Sequence, residues 1–183
     1  MMGKETMRGL TLLELMFVIG IMGIIVGFVP LSADMVRRER VESATRVLYA
    51  DLQKARLDAM TQGGLGFGIR LESHNSYVIF RFNDCNNDYT YDANTCSDNG
   101  REETDVIKRE LHSSVVLHKT NPSTDVNNDV RIFDPFGSPR QANWGMGNIT
   151  IYVNNVLDTG LIKCVSISTN RIREGVWNGS TCS

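Results

Sequence analysis

Gly9-Leu10-Thr11-Leu12-Leu13-Glu14-Leu15-Met16-Phe17-Val18-Ile19-Gly20 opens an apolar run that continues to Leu31, with Thr11 and Glu14 its only strongly polar members. At about 1.5 Å of rise per helical residue, roughly 20 such residues cover the ~30 Å hydrocarbon core of a bilayer. The run is therefore read as a membrane-spanning helix over residues 10–31. A carboxylate inside such a helix costs about 2.5–3.5 kcal/mol on insertion scales, so Glu14 needs a partner. Residues 1–9 form a short polar leader carrying Lys4 and Arg8.

An ordinary secretory signal is the competing reading, since Leu31-Ser32-Ala33 imitates a small-residue cleavage site and would leave a mature terminus at Asp34. Against it, the apolar core exceeds the roughly 7–15 residues of such signals and carries an ionisable group near its start. The basic cluster Arg37, Arg38 and Arg40 outnumbers Lys4 and Arg8 and by itself would invert the topology. A cytoplasmic N-terminus is favoured because Asp34, Glu39 and Glu42 dilute that cluster and because the cysteines downstream call for an oxidising space.

Beyond Pro30 helical periodicity continues: Val41, Ala44, Leu48, Leu52, Ala55 and Ala59 recur at steps of three and four, with charged residues between them. One long helix is expected from about Leu10 to Met60, bent at Pro30 and ended by Gln62-Gly63-Gly64. From Leu65 the pattern changes to short β-branched and aromatic runs between Asn, Asp, Gly and Pro clusters. Strands are predicted over residues 66–71, 77–82, 106–110, 115–118, 130–133, 148–153, 161–168 and 172–176. Residues 83–105 and 120–128 are read as surface loops. The fold class is α+β, a long N-terminal helix, half transmembrane and half amphipathic, packed on an antiparallel β-sheet domain. Its parts are a leader (1–9), a membrane helix (10–31), an amphipathic helix (32–62) and a β-rich head (63–183).

With 183 residues, 42% of them hydrophobic and 22% charged, the chain holds one globular domain plus an extra element. A formal net charge of -2 gives no whole-protein field to gather nucleic acid. The four cysteines, Cys85, Cys96, Cys164 and Cys182, lack zinc or redox spacing and read as disulfides. Of the three possible pairings, Cys85 with Cys96 and Cys164 with Cys182 are favoured because each closes a short polar loop.

Gly9-Leu10-Thr11-Leu12-Leu13-Glu14 before an apolar helix resembles the class III signal of type IV pilins and type II secretion pseudopilins. The resemblance implies that a prepilin peptidase cuts between Gly9 and Leu10 and methylates the new terminus of Leu10, where family members commonly carry phenylalanine. It also implies that Glu14 is neutralised by such an amino terminus during assembly, whereas a carboxylate that merely reaches the cytoplasmic interface is the plainer account. Three further stretches resemble the GspH/FimT branch of minor pilins and pseudopilins: Tyr77-Val78-Ile79-Phe80, Phe133-Asp134-Pro135-Phe136-Gly137, and Cys164 to Arg173. In the last, Asn170 stands where the branch has glycine. The implied function is that of a minor pilin in a type IV pilus, or alternatively a type II secretion pseudopilin of the H type. The implied setting is the inner membrane with a periplasmic head, and the implied partners are other pilins and the peptidase.

Some members of that branch bind DNA through the corresponding C-terminal region, so Lys163, Arg171 and Arg173 are candidate phosphate contacts and Trp177 a stacking surface. The plainer reading is a solvated hairpin with Trp177 packed on the sheet. Asp84, Asn86, Asp88, Thr90 and Asp92 alternate like a calcium loop, but the glycine and the bidentate glutamate of such loops are missing, with Thr95 in the glutamate's place. No metal site is expected. The glycines of residues 63–68 follow a helix and precede a strand, the reverse of a phosphate-binding arrangement. With no nucleophile motif, no phosphate loop and three isolated histidines, neither an enzyme nor a cofactor is expected.

Overall fold

The structure, a computed structural model, describes residues 11–62, 65–83, 104–119, 130–141, 149–157, 160–168 and 171–183, without the side chains of 28–32, 130, 131, 140 and 141. Helix α1 spans Leu12–Thr61 and is unbroken through Pro30. Among the described residues nine strands follow: β1 (Leu65–Ser73), β2 (Ser76–Asn83), β3 (Thr104–Glu110), β4 (Val115–Lys119), β5 (Val130–Phe133), β6 (Pro139–Gln141), β7 (Ile149–Asn155), β8 (Lys163–Ile167) and β9 (Ile172–Val176). The chain divides into two compact units between Val36 and Arg37.

All eight strands expected from the sequence form, with ends shifted by a few residues, and β6 is an addition. Its three residues, one of them proline, are too short and too poor in β-formers to signal a strand; β6 exists because its backbone pairs with β5, Phe133 opposite Pro139. Two antiparallel sheets form where one was expected, in the orders β3-β2-β1-β5-β6 and β4-β7-β8-β9. A seam joins them: the carbonyl of His74, in the β1–β2 turn, accepts from the amide of Leu117 in β4 at 2.6 Å, and that of Asn75 accepts from Leu111 at 2.8 Å.

One apolar core lies between both sheets and the second half of α1. The helix contributes the six positions that its periodicity marks, Val41, Ala44, Leu48, Leu52, Ala55 and Ala59, each at most 6% exposed. Leu48 and Leu52 are the largest of these side chains and are fully buried, each burial worth roughly 1.5–3 kcal/mol. Thr45, also buried on this face, returns its hydroxyl to the carbonyl of Val41 at 2.8 Å and so leaves no polar group unsatisfied.

Strand β2 is buried on both faces. Tyr77 and Ile79 join the main core, whereas Val78, Phe80 and Phe82 form a second cluster with Ile132 on the opposite face. Gly66 is needed there, because a Cβ at that position would run into the buried Phe82 ring.

Candidate functional site

The first candidate is the start of α1. Thr11 caps it, its Oγ1 accepting the amide of Glu14 at 3.3 Å and its carbonyl accepting the amide of Leu15 at 3.1 Å. Thr11 and Glu14 have the spacing of a capping box, so the motif has a local role in starting the helix. After the cap, every described side chain from Leu12 to Gly27 is exposed, the large apolar ones from 50% at Val18 to 79% at Leu12. No helix among the described residues is long and apolar enough to cross a membrane. Gly9 and Leu10 lie outside the described residues.

The second candidate is the C-terminal hairpin. Strands β8 and β9 close through the amide of Ser168, which donates to the carbonyl of Arg171 at 2.9 Å. Arg171 and Arg173, both exposed, share one face by the two-residue period of a strand, Arg173 opposite Ser166. Lys163 is not with them. Its half-buried side chain shares the face of the core residues Val165 and Ile167, so the pairing register separates the three expected cations.

On the face of Arg173, Cys164 is joined to Cys182, the sulfurs 2.05 Å apart, as the sequence favoured. The last residues turn back on β9: Trp177 bridges to Cys182, and Val176 and Ser183 exchange two backbone hydrogen bonds of 2.8 and 3.1 Å. The Trp177 ring stacks on Tyr152, centroids 5.2 Å apart, and Tyr152 stacks in turn on His118 at 4.8 Å. One face of Trp177 is thus spent on the sheet, as the plainer reading holds. Burial lowers the His118 pKa, partly opposed by its 3.2 Å contact with Asn154 and aided by nearby His74. Cys85, Cys96, the acidic loop 84–95 and Asn170 lie outside the described residues.

Sequence reading missed the polar clamp on the second half of α1. Asp51, 6% exposed, accepts from the Tyr77 hydroxyl at 2.9 Å and from Arg109 Nε at 2.9 Å. Burial and the Asp51 charge push the Tyr77 pKa far up, while the hydrogen bond to Asp51 raises that of Arg109. Three residues far apart in sequence carry no motif, although an aspartate one position before a seam leucine was a visible signal. The clamp ties α1 to β2 and β3; it is structural in its geometry.

This architecture, a long N-terminal helix under antiparallel sheets, is the pilin-like fold. Two solved structures share it. The minor pseudopilin EpsH of the Vibrio cholerae type 2 secretion system has a TM-score of 0.52 at 12% identity, covering 75% of this chain and 97% of that one. The type IV minor pilin FimU of Pseudomonas aeruginosa has a TM-score of 0.52 at 16% identity, covering 81% and 96%. In sequence, pilin-like protein PilA1 of Thermus thermophilus is 35% identical over 86 residues, 46% of this chain and 54% of that protein. The match thus spans about half the length of that relative. No family model matches.

Proposed function

We propose that this chain is a minor pilin of a type IV pilus, a structural subunit and not an enzyme, cut by prepilin peptidase between Gly9 and Leu10 and held in the inner membrane by residues 10–31 until assembly. The observation that carries this reading is the first half of α1. Leu12–Gly27 is a helix whose described side chains are exposed on every side, with Glu14 its single ionisable group. Such a surface is unstable in water and calls for lipid or neighbouring helices. In a packed bundle Glu14 is tolerable beside a cation, a role that the new amino terminus of Leu10 fills.

A periplasmic head agrees with the Cys164–Cys182 disulfide, which belongs to an oxidising compartment. The test is the N-terminal mass of the protein purified from its own membranes. A methylated Leu10 is the expected result; a terminus at Asp34 overturns the reading.

A type II secretion pseudopilin of the H type is the second reading, favoured by the likeness to EpsH at the same TM-score as FimU. Genes beside this one for a secretion apparatus, rather than for pili, select it. DNA capture is the third, supported by the shared exposed face of Arg171 and Arg173 and weakened by the separation of Lys163 and by the stacked Trp177. Changing Arg171 and Arg173 to alanine is expected to weaken duplex binding regardless of sequence. Unchanged gel shifts at low salt rule DNA capture out.

A further inference from the structure

The chain contains two Asn-Gly pairs, Asn99-Gly100 and Asn178-Gly179, and the second stands in an exposed turn between Trp177 and Cys182. The carboxamide of Asn178 is held at both ends. Its Oδ1 accepts from the amide of Ser180 at 3.0 Å, the hydroxyl of Ser180 at 3.1 Å and the amide of Thr181 at 2.8 Å, while its Nδ2 donates to Thr181 Oγ1 at 2.9 Å. These partners lie two and three residues further along, so the side chain arches forward over the peptide that joins it to Gly179.

The amide of Gly179 itself donates to nothing among the described residues. Gly179 has φ +99°, and a Cβ there would meet open space, so the backbone conformation and not crowding calls for glycine. The rest of the turn is closed around the pair. The Asn178 amide donates to the Thr181 carbonyl at 3.2 Å, Val176 and Ser183 exchange two backbone bonds, and Cys182 is tied to Cys164. An amide nitrogen without a partner thus adjoins a carboxamide whose oxygen three donors polarise.

We propose that Asn178 is a self-modifying site, which cyclises onto the Gly179 amide to a succinimide faster in the folded turn than in the free chain. The Gly179 nitrogen attacks Cγ: the N–Cγ bond forms, the Cγ–Nδ2 bond breaks, and the carboxamide nitrogen leaves as ammonia with the proton from the Gly179 amide. Negative charge at the tetrahedral stage falls on Oδ1, where the three donors already point. Holding the side chain over its target also removes rotational freedom that an unrestrained asparagine loses at each attempt. Water, the only further reactant, opens the ring at either carbonyl and leaves aspartate or isoaspartate.

Either product places a new carboxylate in residues 163–183, where Lys163, Arg171 and Arg173 stand against Glu174 alone. The small positive side-chain balance of this segment is halved, and an aged copy attracts an anion less than a new one. In isoaspartate the main chain also runs through Cβ, lengthening a turn that the disulfide closes. None of this depends on the filament reading.

The test is peptide mapping by mass spectrometry of the purified full-length protein held at mildly alkaline pH, native in one arm and, in the other, reduced in guanidinium chloride. Asn178 is expected to convert at least about threefold faster in the native arm, roughly the worth of one net hydrogen bond. Asn99, read from the same digests, gives the rate of an ordinary Asn-Gly pair in the denatured arm, which Asn178 is expected to match there. Ser180→Ala removes one donor with an exposed side chain; it is expected to slow the native conversion about threefold and to leave the denatured rate and the melting temperature as they are. A native rate at or below the denatured one, or a native rate that Ser180→Ala leaves unchanged, overturns the proposal.

Discussion

Leu15, Ile19 and Ile24 in the first half of α1 and Leu48 and Leu52 in its second belong to one continuous helix, yet the former are 52%, 63% and 63% exposed and the latter fully buried. Propensity cannot explain the contrast, since leucine stands in both kinds of site. The second half confines its apolar residues to one seam and offers charge elsewhere, so two sheets can cover the seam while water wets the rest. The first half is apolar on all sides, and such a surface is matched only by lipid or by several neighbouring helices. Stability of the head is therefore carried by the second half, and on the proposed function assembly is left to the first.

The largest expected effect falls on the buried half. Leu48→Ala is predicted to cost the head about 3 kcal/mol, through lost transfer energy and the cavity left under both sheets. Chemical denaturation measures it, and a loss below about 1 kcal/mol would mean that the sheets collapse onto the helix without that side chain. Asp51→Ala is expected to cost about 2 kcal/mol by the same assay, because it strands the buried Tyr77 hydroxyl. Little of that loss comes from Arg109, whose side chain is 47% exposed and stays solvated. Tyr77→Phe in the Asp51→Ala background should then cost almost nothing more, as a double-mutant cycle would show.

A smaller effect is the pH dependence at His118. Burial lowers its folded pKa below the unfolded value near 6.5, so the unfolded chain binds the proton more readily. The stabilisation is complete above about pH 6.5 and declines as pH falls toward the lowered folded value. His118→Asn is expected to flatten the fall in melting temperature between pH 7 and pH 5. The smallest effect belongs to the exposed half: Ile19→Ala should move the stability of the head by less than about 0.5 kcal/mol while reducing incorporation into filaments. A comparable loss of head stability would break the division of labour between the halves.

Much of this molecule was legible in its chain. The six seam positions of α1 could be named from spacing alone and eight of the nine described strands from β-rich runs between turn clusters, while the Cys164–Cys182 pair could be favoured as a short loop. Periodicity is a local property, and it survives folding because a helix or strand must bury one face whatever lies opposite. Resemblance supplied the expectation of a pilin-like fold, which the long helix and antiparallel sheets match.

The tertiary structure alone decided which strands pair and therefore which side chains share a face. It split the strands into two sheets, turned Lys163 away from Arg173, and stacked Trp177 on Tyr152. It also closed Asp51 on Tyr77 and Arg109, 26 and 58 residues further along the chain. A register shift of one residue exchanges the two faces of a strand, and no short window of sequence contains the partner that sets the register. Local spacing thus determined the elements, while burial and hydrogen-bond satisfaction between distant segments determined what those elements bring together.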